Sequence, residues 1–348
     1  GIHLLEKYGY SYKFIEKDGF LNSKIVHMYD SKDTSQCSLG KAVGNAIIKF
    51  TKCFYKLNPD IILVLGDRFE ALAAVIAAST LSKVIAHVHG GDDISQGQVD
   101  EQIRHSITKL AHIHFPATPK SAERIKLMGE QSWRIHMVGS PTIDEIGKIK
   151  ILSKEDFFQK FQLNPSKSTV FCVQHPYIVE SNKAGEQMTI TLKVLKDIGI
   201  QSIILYPNND PGSNLIINEI ESYRSYPKFK IFKNVERKDY LSILKHVDLM
   251  VGNSSSGLIE TPIFKLPTIN IGNRNKGRES AENVVNVLPK YENIKRAISK
   301  TLSNDFKTFC QTVKNPYGDG KASEKITKIL EDLEISKDLL IKRLTYKV

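Results

Sequence analysis

No stretch of this sequence comes near the roughly 20 consecutive apolar residues that a membrane-spanning helix needs, and no charged-then-apolar leader opens the chain at Gly1. Cysteine is scarce. Its four copies, Cys37, Cys53, Cys172 and Cys310, stand far apart with no CxxC pair, which argues against a disulfide frame or a cysteine zinc site and reads as reduced core residues of a cytoplasmic protein. Basic runs with interleaved aromatics are also missing. The 49 Lys and Arg against 38 Asp and Glu, a formal charge of +11, are scattered along the chain, so nucleic acid is not an expected partner, whereas a diffuse positive field suits an enzyme with an anionic substrate. Internal repeats, low-complexity segments and the GxxxxGK[ST] phosphate loop are absent as well.

What is present is an alternation of short β-rich runs with longer amphipathic stretches, the pattern of parallel sheets covered by helices. The first series contains Asp60–Gly66, Lys83–Gly90, Ile113–Ala117 and Arg134–Gly139. A polar, Lys-containing stretch ending in NPSKS follows, and a second series holds TVFCVQH, QSIILYPN, FKIFKNV, DLMVGNSS and LPTINIG. At 348 residues the chain exceeds one ordinary core. The expectation is an α/β protein of two Rossmann-like doubly wound domains facing a cleft, 1–152 and 153–330, with a C-terminal helix over 331–348. Because a doubly wound domain starts with a strand and GIHLLEKYGYSYKFIEKDGF has no opening β-run, a first β-α unit is expected to lie before Gly1.

Chemistry-bearing residues gather at the ends of these strand runs, where open α/β sheets bind ligands. In VLGDRFEAL, Asp67 and Arg68 follow the first buried run; Asp67 with Glu70 also fits a helix-capping pattern. In HVHGGDDISQGQVDEQIRH, His87 and His89 alternate along a strand and so share one side, beside Gly90-Gly91 and ahead of Asp100, Glu101, Arg104 and His105 at a helix entry. Those residue types fit a metal site, an anion cradle or an acid/base centre; Asp100 and Arg104 stand one turn apart. His175 follows TVFCVQ, and Asn208 lies in a turn-forming YPNNDPGSN that can reach a sugar hydroxyl. Gly252, Asn253, Ser254 and Ser255 open a helix whose exposed N–H groups suit a diphosphate. Glu260, one turn into it, suits ribose hydroxyls, and Arg274 and Arg278 add positive charge.

Taken together, GDRFEALA, the HxxGG stretch, VDEQIRHSITKLAH, the VxxHP run, PNxDxGS, GNSSxGxxE and GRExxEN, in this order over nearly the whole chain, resemble the hydrolysing UDP-N-acetylglucosamine 2-epimerases of sialic- and legionaminic-acid-type biosynthesis and their relatives acting on UDP-2,4-diacetamido-trideoxy sugars. The resemblance implies a glycosyltransferase-B fold with UDP bound mainly to the second domain. It implies conversion of the UDP-sugar to UDP and the free 2-epimeric sugar, through an acetamidoglycal, with no metal or other cofactor and in a homodimer or homotetramer. It implies Asp67, Asp100 and Glu101 as carboxylates for proton transfer at the sugar C2, Arg68 and Arg104 as neutralising charges, and His175 and Asn208 beside the sugar and phosphates. Ser254, Ser255 and Glu260 would hold the diphosphate and ribose, with Arg274 near them. His89 stands where members closest to the mammalian enzyme carry a catalytic Glu, and the loop after Gly91 is lengthened. The family's opening strand and GTRxxYG-like turn have no counterpart here. The rival readings are a non-hydrolysing 2-epimerase, a glycosyltransferase on the same fold and a non-catalytic sugar-nucleotide-binding protein.

Overall fold

The computed structural model describes residues 2–5, 10, 12–20, 24–29, 37–93, 99–208 and 210–346. The chain divides into two compact units, Gly1–Gly139 with Ser323–Val348, and Ser140–Ala322.

In the first unit the order is α1 (Tyr12–Lys17), α2 (Ser38–Leu57), β1 (Ile61–Leu65), α3 (Phe69–Thr80), β2 (Val84–Val88), α4 (Val99–Leu110), β3 (Ile113–Phe115) and α5 (Pro119–Leu127). The strands form one parallel sheet in the order β1-β2-β3. Every residue of β2 is buried, as expected for the middle of a parallel sheet covered on both faces. Ile62, Val64 and Ile85 pack against Val75 and Ala78 of α3 and against Ile103 and Ile107 of α4. β1 is an edge strand rather than the fully buried run the sequence indicates, since Leu63 and Leu65 are exposed. Arg134–Gly139 forms no strand. It makes one parallel bridge, His114 to Ile135, and its partner strand gives way to Pro116, which has no N–H to continue a ladder.

The second unit contains α6 (Lys154–Lys160), β4 (Thr169–Val173), α7 (Ala184–Ile198), β5 (Gln201–Leu205), α8 (Ser213–Ser222), β6 (Phe229–Phe232), α9 (Arg237–His246), β7 (Leu249–Gly252), α10 (Ser256–Ile259), β8 (Thr268–Ile271), β9 (Val284–Val287), α11 (Tyr291–Thr301) and α12 (Asn304–Thr312). Its strands form a parallel sheet in the order β6-β5-β4-β7-β8-β9. Val170, Cys172, Ile204, Val251 and Ile269 pack on Met188, Leu192 and Leu195 of α7 and on Ile294 and Ile298 of α11. The order reverses between β4 and β7, the switch point outside whose carboxyl ends such sheets take ligands. β9 was not legible in the sequence: it is a half-buried edge strand of only four residues.

The helices α13 (Ala322–Glu331) and α14 (Lys337–Leu340) replace the expected helix over 331–348. The tail joins the first unit because Arg134 donates to the carbonyls of Leu339 at 2.7 Å and Ile341 at 2.8 Å, and Lys342 pairs with Glu130 at 2.8 Å. The division between units also falls earlier than residue 152. Ser140 N–H bonds the Tyr317 carbonyl at 2.7 Å and Leu152 N–H bonds Ser242 Oγ at 3.0 Å, which fastens the 140–152 segment to the second unit. Of the cysteines, Cys172 and Cys310 are buried, Cys53 is half-buried and Cys37, contrary to expectation, is exposed. No helix among the described residues is long and apolar enough to cross a membrane.

Candidate active site

In the first unit the expected residues converge on one cation. Gly66 leaves β1 with φ +78°, a conformation glycine adopts without strain, and Asp67 follows. Asp67 caps nothing: α3 has Arg68 at its N-cap with no side-chain cap bond. Its carboxylate instead accepts from Nη2 of Arg104, while Nη1 of Arg104 donates to Glu101 Oε2 at 2.8 Å and to the Asp92 carbonyl at 3.1 Å. Arg104 is only 2% exposed, so its charge must be paired to be tolerated. Burial works against that charge, but Asp67 and Glu101 outweigh it and raise the Arg104 pKa. The expected helix pair of Asp100 with Arg104 is therefore not made; Glu101, one position on, takes the bond and also faces His105 at 3.2 Å. Burial and the Asp67 charge raise the Asp100 pKa, opposed by Arg68 and Arg104. Arg68 is mostly exposed, 4.0 Å from Glu70.

His87 and His89 do not share a side. His87 is fully buried in β2, its Nε2 2.9 Å from the Gly66 carbonyl and its Nδ1 3.3 Å from Thr108 Oγ1. Burial lowers its pKa to about 4. The strand ends at Val88, and His89 lies beyond it with φ +64°, which removes the alternation a shared metal would need. No group of three or more His, Cys, Asp and Glu among the described residues could hold a metal ion. Residues 94–98, where the lengthened loop was expected, lie outside the described residues.

In the second unit the site is built at the switch point. Asn253 follows β7 and clamps His175, which follows β4: Asn253 Oδ1 accepts from His175 N–H at 2.6 Å and Nδ2 donates to the His175 carbonyl at 2.9 Å. Arg274 Nη1 and Asn275 Nδ2 donate to the Asn253 carbonyl at 3.1 and 2.9 Å. The backbone N–H of Asn208 donates to His175 Nδ1 at 2.9 Å, which places the neutral ring's proton on Nε2. Burial, with the Arg274 charge adding to it and Asp210 opposing, lowers the His175 pKa to about 4. His175 thus presents a neutral N–H donor. Asn208 Nδ2 donates to Asp210 at 2.5 Å, and its buried Oδ1 has no hydrogen-bond partner among the described residues.

Ser254 is buried and Ser255 sits at the N-cap of α10, but this helix is a single turn, so Glu260 is its C-cap rather than a residue inside it. Arg237 Nη2 donates to Glu260 Oε1 at 2.5 Å and Arg237 Nε to Glu145 Oε1 at 2.6 Å. Burial, followed by the Glu260 charge, pushes the Tyr240 pKa up. Sequence reasoning offered Asp92 only as a candidate third metal ligand and missed Arg237 and Tyr240, which sit on α9, whose ERKDYL carries no recognisable spacing.

A family model for UDP-N-acetylglucosamine 2-epimerase matches residues 1–331. The chain is 35% identical over 342 residues, covering 98% of this chain and 89% of the relative, to the UDP-N,N'-diacetylbacillosamine 2-epimerase (hydrolyzing) of Legionella pneumophila. It is 33% identical over 310 residues, 88% of this chain and 79% of the relative, to the GDP/UDP-N,N'-diacetylbacillosamine 2-epimerase (hydrolyzing) of Campylobacter jejuni. Among solved structures, the UDP-GlcNAc 2-epimerase of Neisseria meningitidis bound to UDP-GlcNAc superposes with a TM-score of 0.71 at 19% identity, over 87% of this chain and 84% of that one. The Methanocaldococcus jannaschii UDP-GlcNAc 2-epimerase in complex with UDP-GlcNAc and UDP gives 0.70 at 21% identity, over 91% and 87%. The fold is therefore that of these enzymes, and the chain belongs to the UDP-N-acetylglucosamine 2-epimerase family.

Proposed function

We propose that this chain is a hydrolysing 2-epimerase that converts a UDP-linked 2-acetamido sugar to UDP and the free 2-epimeric sugar. The observation that carries the reading is the cluster of Asp67, Asp100 and Glu101 around the buried Arg104, with the Asp100 pKa raised from its ordinary value by burial and the Asp67 charge. Such a carboxylate is poised for proton transfer nearer neutral pH.

The chemistry runs through elimination and hydration. A base takes the C2 proton, the C2–H electron pair becomes the C1=C2 bond of an acetamidoglycal, and the C1–O pair leaves with UDP. Water then adds its hydroxyl at C1 and a proton returns to the opposite face of C2. Charge develops on the departing diphosphate, where the Nε2–H of His175, Arg274 and the hydroxyls of Ser254 and Ser255 act as donors. Glu260 accepts from the ribose hydroxyls. The two relatives named for diacetylbacillosamine favour UDP-N,N'-diacetylbacillosamine over UDP-N-acetylglucosamine as substrate.

The test incubates the protein with each of these two sugar nucleotides and follows UDP and sugar by NMR. Release of UDP with a 2-inverted free sugar, fastest from the diacetamido substrate, is expected. A 2-inverted sugar still attached to UDP would replace this reading with the non-hydrolysing one, and binding without turnover of either would replace it with a sugar-nucleotide-binding protein.

A further inference from the structure

Asn208 is held from two sides, and the way it is held decides which of its side-chain atoms is left for a ligand. Its backbone N–H donates to His175 Nδ1 at 2.9 Å, and its Nδ2 donates to Asp210 Oδ2 at 2.5 Å. A carboxylate accepts and does not donate, so only the NH2 end of the Asn208 amide can face Asp210, and Oδ1 is turned away from it. That oxygen is buried and has no hydrogen-bond partner among the described residues. A buried acceptor left unmatched is costly, and the bond it lacks is one that a bound molecule can make. Asp210 is fixed in its turn. Its carbonyl accepts from Ser213 N–H at 3.0 Å, in a bend that carries Gly212 at φ +94°, where a Cβ would lie 2.6 Å from the Ser181 carbonyl oxygen. The Asp210 charge also reaches Arg274 and His175, opposing the fall in the pKa of each.

We propose that Asp210 is a positioning residue that fixes the orientation of the Asn208 amide, so that Oδ1 accepts from a hydroxyl or acetamido N–H of the sugar while Nδ2 stays on the carboxylate. The inference rests on the epimerase reading above and deepens it, by giving the sugar a contact of its own. Diphosphate oxygens suit the neighbouring donors, the Nε2–H of His175 and Arg274, but they only accept and cannot satisfy Asn208 Oδ1. The donors on a UDP-linked 2-acetamido sugar are the ribose hydroxyls, the uracil N3–H, and the hydroxyl and acetamido groups of the sugar. Glu260 accounts for the ribose, and the sugar adjoins the diphosphate that His175 and Arg274 hold. The backbone bond from Asn208 to His175 then ties the group that reads the sugar to the group that receives the leaving phosphate.

The variant Asp210→Asn keeps the shape but offers a donor as well as an acceptor, so the Asn208 amide is free to turn and present Nδ2 where Oδ1 stood. The readout is the ratio of KM for the sugar nucleotide to Ki for UDP, because removing the charge beside Arg274 alters the hold on the diphosphate in both ligands alike. That ratio is expected to rise about tenfold, the worth of one hydrogen bond to a buried group. In an Asn208→Ala background the same change should leave the ratio where it was, since the two residues act as one unit. A ratio that does not move in Asp210→Asn, or that moves equally without the Asn208 amide, overturns the proposal. A crystal structure of the wild type with the sugar nucleotide bound supplies a reading that needs no variant. Oδ1 within about 3.2 Å of a sugar hydroxyl or acetamido nitrogen is expected; Oδ1 facing uracil, ribose or water alone overturns the positioning role even if the enzyme is active. Where the wild type binds the sugar nucleotide without releasing UDP, dissociation constants replace KM and Ki in the ratio, and that outcome counts against the epimerase reading alone.

Discussion

Asn253 holds His175 by both of its backbone polar groups, accepting its N–H at 2.6 Å and donating to its carbonyl at 2.9 Å. One side chain thereby ties the end of β4 to the end of β7 at the point where the sheet order reverses, and it does so while buried. Replacing it with aspartate keeps the shape and the acceptor but sets a carboxylate against a carbonyl. Leaving such a buried group unsatisfied costs about 1–3 kcal/mol. Asn253→Asp should therefore unfold at lower urea, and turnover should fall further than stability alone explains, because the His175 donor shifts with its backbone.

Arg104 governs the charge state of the carboxylates around it. It is one of the groups that hold the Asp100 pKa down, against burial and Asp67, which raise it. Removing its charge in Arg104→Gln should raise the Asp100 pKa further. With ionised Asp100 required, the acidic limb of kcat/KM moves to higher pH and kcat drops by about 10²-fold or more. The pH profile checks it: a limb that stays in place would remove Asp100 from the proton-transfer set.

His87 makes the fold sensitive to acid. Its pKa in the folded protein is lowered to about 4, by burial first, with the Gly66 carbonyl opposing and His114, Arg104 and His89 adding to the depression. The unfolded chain takes up the proton near pH 6.5, so the folded state binds fewer protons between these values. Stability is then fully present above about pH 6.5 and is lost as pH falls toward 4, by up to about 1.4 kcal/mol per pH unit for this group. Urea midpoints measured across that window should fall more steeply for the wild type than for His87→Gln.

Much of this was legible from the sequence, and the parts that were not share a cause. Strands β1 to β8 stood out as short β-rich runs, the form parallel strands take in a sequence; β9, four residues at an edge, did not. The motifs placed Asp67, Glu101 and Arg104 near strand ends, and the structure joins all three. Spacing alone named Asp100 as the helix partner of Arg104 and Glu70 as the capping partner of Asp67, since one-turn pairs are the only pairs a sequence displays. The contacts that prevail run between elements: Arg104 to Asp67, Ser121 to Asp92 and Arg237 to Glu260. The same holds for the tail, whose place in the first unit is set by Arg134, a residue with no motif around it.

Gly252 is required by the close approach of β7 to β4. It has φ +139°, and a Cβ there would overlap the Val173 carbonyl oxygen, which is backbone and has nowhere to move. Gly252→Ala should cost upwards of about 4 kcal/mol, the range reached when strain and overlap coincide in a core. A soluble variant with an unchanged unfolding midpoint would show that the two strands can separate without penalty.

Glu260 and Arg237 make a distinct case, because their ion pair occupies the very carboxylate assigned to the ribose. Arg237 engages Oε1 at 2.5 Å, and an ionised carboxylate accepts at both oxygens, so the pair orients Glu260 without consuming its capacity to accept from a sugar. If Glu260 reads the ribose hydroxyls, Glu260→Gln should weaken UDP binding by roughly tenfold or more, the worth of a hydrogen bond to a charged group. The effect should shrink for 2'-deoxy-UDP, which has already lost one of the two donors. Titration calorimetry on the four combinations of protein and ligand isolates that coupling. Equal losses for UDP and 2'-deoxy-UDP would mean that Glu260 supports the site through Arg237 and does not accept from the 2'-hydroxyl.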